Sequence, residues 1–181
     1  MSEYGVVLES GAIRFERLLP APVERVWTYL TDSEKRGTWL ASGVFDLRLG
    51  GETNLLFKHS QITPEEPPEK YRDMNENGFL SKGTITRYEP PHVLAFTWHG
   101  GDNPSSEVTF ELSPKDGKTL LVLTHRKLAA TDMSNVAGGW HVHLGLLEDQ
   151  LEGNPPRGFW SRIDALEAEY TARMANTEGQ G

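Results

Sequence analysis

Two histidines, His141 and His143, stand two residues apart in the run Gly-Gly-Trp-His-Val-His. That spacing invites a metal reading, but residues two apart on a helix do not face each other, so the pair is a poor chelate. At about 100° per residue, His143 lies roughly 60° from Trp140, at the edge of an apolar stripe, and His141 lies about 100° away on the other side. His143 is therefore placed either to hydrogen-bond a guest or a strand group, or to serve as a plain structural histidine. His59, His99 and His125 end or interrupt strand-like runs and complete no ligand set. No metal and no cofactor is expected. His143 could pair with Glu111 or Asp46 for acid–base work, but no spacing fixes their distance, and no catalytic residue is assigned. Ser42, in Ala-Ser-Gly, lacks the flanking glycines of a nucleophile elbow. Gly50-Gly51 and Gly138-Gly139 lack the spacing and the Lys-Ser/Thr of a phosphate loop. The first pair reads as a tight turn, the second as the start of a long helix. The chain has no cysteine, which excludes disulfides, thiolate zinc ligands and thiol nucleophiles.

The aromatic residues are the stronger candidates. Trp39, Phe57, Phe96, Trp98 and Trp140 supply large apolar area, and an indole N–H can orient a polar group. They fill a core or line a cavity; their pattern alone allows both. Arg48, in Asp-Leu-Arg-Leu-Gly-Gly, also has two readings. It pairs on a strand face with Asp46 or Glu52, or it points inward as a polar anchor for a carboxylate-bearing ligand.

These residues need elements to position them. Ala12 to Leu19 alternates as a strand. Pro20 and Pro22 then punctuate the chain, and Pro22 suits a first helical turn. Val23, Val26, Trp27 and Leu30 form one helical face, followed by a short turn over residues 33–37. Val44 to Leu49 and Glu52 to His59 read as a hairpin around Gly50-Gly51. Residues 60–78 are acidic and proline-rich, a long loop that acts as a lid or as a solvated excursion. Phe79 to Tyr88, Val93 to His99, Val108 to Leu112 and Leu120 to Arg126 are strands, the last two joined by a Pro-Lys-Asp-Gly turn. Val136, Trp140, Leu144, Leu147 and Leu151 share a helical stripe that Gly153-Asn154-Pro155-Pro156 breaks. Phe159, Ile163, Leu166 and Tyr170 make a second stripe to about Met174, and residues 175–181 are expected to fray. Strands and helices in separate blocks give an α+β fold with an antiparallel sheet.

At 181 residues the chain fits one domain that can bury roughly 70% of its unfolded surface. We expect a flexible arm at 1–10, the domain proper at 11–153 and a helical extension at 154–175 packing on it. The stripe of Phe159, Ile163 and Leu166 packs back on the same chain or joins two copies, so a monomer or a homodimer is expected. The net charge of −8 and pI of about 5.2 argue against nucleic acid and anionic membranes as partners. No apolar run approaches the ~20 residues of a membrane span. The N-terminus has no secretory pattern, and a soluble cytoplasmic protein is the expectation.

Five segments in order carry a family resemblance: PVERVWTYLTD followed by Trp39, FDLRLGGE, GTITRYEPPHVLAFTWH, THRKL and GGWHVHLGLLEDQLE. Together they resemble the activator-of-Hsp-90-ATPase homologue-like family of the START-like (SRPBCC, birch-pollen-allergen-like) superfamily, from about Ile13 to Gly153. The resemblance implies a helix-grip fold, with about six or seven antiparallel strands curved around a long C-terminal helix. It implies an apolar cavity between sheet and helix, lined by Trp39, Phe57, Phe96, Trp98, Trp140, His143, Leu144 and Leu147. The activity implied is non-catalytic binding of a small hydrophobic or amphipathic molecule. Two alternatives stand beside it: regulation of an Hsp-90 ATPase, with the chaperone as partner, and a cyclase or hydrolase using polar groups in the cavity. The eukaryotic co-chaperone of that name carries a separate chaperone-contacting domain, for which this chain leaves no room.

Overall fold

Runs that alternate apolar and polar residues assemble into one antiparallel sheet. The computed structural model describes residues 3–9, 11–100 and 103–178. Its strands are β1 (Val6–Glu9), β2 (Ala12–Leu19), β3 (Glu52–Phe57), β4 (Phe79–Glu89), β5 (Val93–Gly100), β6 (Asn103–Lys115) and β7 (Lys118–Arg126). They lie in the order β1-β2-β7-β6-β5-β4-β3. Register brings inward residues into rows: Phe96 opposes Val108, Val108 opposes His125, and His125 opposes Ile13. These four residues are at most 1% exposed.

The helices are α1 (Val23–Thr31), α2 (Ser33–Arg36), α3 (Arg72–Asn77), α4 (Met133–Glu152) and α5 (Trp160–Glu178). Helix α1 buries Val23, Val26 and Leu30 and starts after Pro22. Helix α4 is 20 residues long and ends at Gly153, whose φ of 76° is the left-handed stop that glycine tolerates. Its Trp140 ring packs on Trp98 and Phe110 of the sheet. The sheet curves around α4, and the architecture is the α+β helix-grip fold.

Several elements differ from the sequence reading. Residues 44–49 form no strand; only single bridges join Ser42 to Leu56 and Phe45 to Thr53. The turn at the glycine pair does form, with Gly51 N–H donating to Arg48 O and Asp46 N–H to Glu52 O. But Gly50 N–H donates to Ile85 O and Ile85 N–H to Gly51 O, so the glycines pair with β4 while the segment at residues 44–49 joins β3 only at isolated points. Its alternating Val44, Leu47 and Leu49 face solvent. The expected turn at 33–37 is the helical turn α2, capped by Asp32, whose carboxylate accepts from Lys35 N–H at 2.9 Å. The arm at 1–10 contains β1, and Gly5 N–H donates to the Tyr170 hydroxyl at 2.8 Å; residues 1, 2 and 10 lie outside the described residues. Residues 60–78 fold into two short 3₁₀ turns and α3. Helix α4 begins five residues before Gly138, so the glycine pair sits inside it. Helix α5 continues to Glu178 where fraying was expected from 175, and residues 179–181 lie outside the described residues.

Helix α5 buries Trp160, Ile163, Leu166 and Tyr170 within the same chain. Gly138 permits its close approach to α4: a Cβ there would lie 2.9 Å from Glu167 Cγ. The connecting loop is held by Asp149, whose carboxylate accepts from Arg157 N, Nε and Nη2 at 2.8–2.9 Å.

Candidate functional site

Trp140 faces the sheet from α4, and an indole N–H can only donate. It donates to His125 Nδ1 at 3.0 Å. Nδ1 is therefore bare and Nε2 carries the proton, donating to Ser106 Oγ at 2.9 Å. Ser106 in turn donates to the Trp98 carbonyl at 2.8 Å. Every proton in this chain has one acceptor, so the buried His125 is satisfied as a neutral ring. Burial pushes its pKa down to about 3.

Beside this relay lies an inner cavity of about 160 Å³ between sheet and α4, lined by Leu40, Phe57, Trp98, Val136, Trp140 and His143 among others. Phe57 and Trp98 meet at 5.3 Å between ring centroids, as do Trp98 and Trp140.

His143 is a polar group of this wall, with His125 and Asn135. Its Nδ1 lies 2.7 Å from the Trp39 carbonyl, which can only accept, so Nδ1 carries the proton. Nε2, across the ring, is then a bare acceptor with no protein partner among the described residues. Burial, with the nearby His59, pushes the His143 pKa down to about 3.

An outer cavity of about 210 Å³ lies on the other side of His143, between α4, α5 and residues 59–77. Its walls include His59, Tyr71, Met74, Phe159, Trp160 and Glu167. Tyr71 and Trp160 stack at 5.2 Å, and His59 packs on Phe159 at 4.5 Å and on Trp160 at 4.9 Å. Both cavities touch Asn135, Gly139 and His143. Gly139 is the open point: a Cβ placed on it would meet nothing within 4 Å.

The eight residues assigned to a cavity divide evenly. Phe57, Trp98, Trp140 and His143 line the inner cavity. Trp39, Phe96, Leu144 and Leu147 are buried in packed core instead. Trp39 donates its indole N–H to the Tyr29 carbonyl at 2.9 Å and serves the site only through its own carbonyl. Arg48 is no inward anchor: its side chain is 68% exposed and pairs with Asp46 at 2.7 Å. That pair also removes Asp46 as a partner for His143, and Glu111 is exposed on β6. His141 instead accepts from the Tyr170 hydroxyl at 2.9 Å. Among the described residues no group of three or more His, Cys, Asp or Glu is placed to hold a metal.

Sequence reasoning missed the outer cavity. His59 was visible as a histidine after a strand, but Tyr71 and Trp160 lie in a segment read as loop and at the start of the last helix. Only the fold brings them together. Gly139 carried a signal, since glycine inside a 20-residue helix needs a local reason.

A curved antiparallel sheet gripping a long C-terminal helix over an aromatic-walled hollow defines a START-like, helix-grip protein. The chain belongs to the family described as "Activator of Hsp90 ATPase homolog 1-like protein", which matches residues 20–152. Among solved structures, it resembles the protein encoded by gene BPP1335 of Bordetella parapertussis, with 44% identity and a TM-score of 0.81 over 94% of this chain and 90% of that one. It is also similar to CalU16 of Micromonospora echinospora, at 26% identity and a TM-score of 0.68 over 89% and 86% of the two chains. No curated protein matches it. No helix among the described residues is long and apolar enough to cross a membrane.

Proposed function

We propose that the protein binds a small hydrophobic or amphipathic molecule, without catalysis, in the space between sheet and α4. The observation that carries this reading is the inner cavity, walled by Phe57, Trp98 and Trp140 and edged by the bare Nε2 of His143. Apolar walls with few convergent polar groups are the usual make-up of a small-molecule site. The nearest titratable groups are already committed. His125 is closed in its relay, and His143 holds Trp39, so neither has a second titratable group at hydrogen-bond distance to work with.

Two of the cavity's walls are tryptophans, so intrinsic fluorescence reports occupancy. Titration with a panel of fatty acids, sterols and aromatic polyketides is expected to shift emission for at least one class. Native mass spectrometry is expected to find the same class bound. No shift across the panel, together with no bound species, ends the reading.

The family's name supplies a second reading, regulation of an Hsp90 ATPase. The rate of the purified chaperone decides it: unchanged hydrolysis with this protein in excess removes it.

A further inference from the structure

Behind the walls of the outer cavity, two polar atoms are buried with no hydrogen-bond partner, Trp160 Nε1 and His59 Nδ1. Both side chains are more than nine-tenths buried, Trp160 at 8% and His59 at 9% exposure. An unmet buried donor or acceptor costs roughly 1–3 kcal/mol, and native structures keep few of them without a reason. His143 Nε2, on the shared edge of the two cavities, is a third unpaired nitrogen. Of the three, His143 Nε2 is the one that a guest can reach; the other two are sealed behind the rings.

The lining residues also exclude. No Lys or Arg lines either cavity, and the one carboxylate, Glu167, accepts from Asn135 at 2.8 Å. A buried carboxylate or phosphate on a guest would find no cation, and burying an unpaired charge is costly. Neither cavity alone reaches the ~300 Å³ at which small-molecule pockets begin, but the two together do.

We propose that the outer cavity is a second compartment of the ligand site, and that the guest is a neutral, hydroxyl-bearing aromatic molecule lying across Gly139, its hydroxyl donating to His143 Nε2. The rings of the guest take the stacked and edge-on contacts that Phe57, Trp98, Tyr71 and Trp160 offer. A hydroxyl supplies a donor to the bare histidine nitrogen, which a hydrocarbon cannot. This assignment rests on the reading that the interior binds a small molecule.

Three probes of one shape test it: 4-phenylphenol, biphenyl and biphenyl-4-carboxylate, titrated by calorimetry and tryptophan fluorescence. The wild-type protein is expected to bind 4-phenylphenol roughly five- to tenfold tighter than biphenyl, the usual worth of one net hydrogen bond. The carboxylate is expected to bind least. In His143→Phe the preference for the phenol over biphenyl is expected to vanish while biphenyl still binds. Should that variant not fold, Gly139→Leu, whose Cβ meets nothing within 4 Å, fills the shared edge and is expected to lose both ligands while the protein keeps a cooperative thermal transition. The ¹⁵N resonance of His143 Nε2 is expected to move with 4-phenylphenol and not with biphenyl. Equal affinity for phenol and biphenyl, a preference that survives His143→Phe, or undiminished binding by Gly139→Leu overturns the inference while leaving the binder reading intact. Failure of both neutral probes, together with silence across the wider panel, sinks both.

Discussion

His125 and His143 show how one residue type is spent in two ways. His125 has both nitrogens committed, to Trp140 and to Ser106; His143 has one committed, to Trp39. Both are neutral when folded, with pKa values pushed down to about 3 by burial. In the unfolded chain each titrates near 6.5. As pH falls below that value, the unfolded state takes up protons that the folded state refuses, so stability declines. The expected slope is about 1.4 kcal/mol per pH unit for each of the two, running down towards their folded values. His59 and His141, lowered to about 4, act in the same direction. Urea midpoints measured from pH 7.5 to 5 should therefore hold steady near the top of that range and drop steeply below about 6.5. A flat profile to pH 5 would mean that these rings are not sealed from protons. At this scale the sequence was half legible. His143 could be placed at the edge of a stripe by counting residues, but which of its nitrogens is free depends on a carbonyl 104 positions away.

Among the elements, α4 carries the sharpest contrast, between two adjacent glycines. Gly138 is where α5 approaches, with Glu167 N only 3.2 Å from an added Cβ, whereas Gly139 faces open space. Glycine inside a helix costs roughly 1 kcal/mol against alanine. Gly139→Ala is therefore expected to stabilise by about 0.5–1 kcal/mol. Gly138→Ala should fall at least about 1 kcal/mol below it, because overpacking a helix contact offsets the propensity gain. Thermal unfolding of the two variants side by side checks the order. Strands were read well where alternation coincided with burial, as in Leu94, Phe96 and Trp98. Residues 44–49 misled because alternation there is not matched by burial: Val44 is 72% exposed, and the backbone meets β3 only at isolated points. Residues 60–78 were read as loop because their short turns follow no period of 2 or 3.6; burial of Ile62 and Asn75 gives them a place.

For the molecule as a whole, α5 is an integral layer. Phe159, Trp160, Ile163, Leu166 and Tyr170 are all at most 9% exposed. At about 1.5–3 kcal/mol for each buried apolar side chain, their removal forfeits roughly 8–15 kcal/mol, as much as a domain's typical net stability of ~5–15 kcal/mol. A chain ending at residue 153 is expected to lack a cooperative thermal transition and a dispersed amide spectrum. A well-folded 1–153 fragment would show instead that α5 is an accessory. The same layer has a kinetic side. Because α5 supplies Phe159, Trp160 and Ile163 to the wall of the outer cavity, anything lodged there is held in part by how firmly α5 stays docked. Dwell times should then track the opening of α5, read from its amide hydrogen exchange, and mutations that loosen the Asp149–Arg157 clasp should speed release more than they weaken equilibrium affinity.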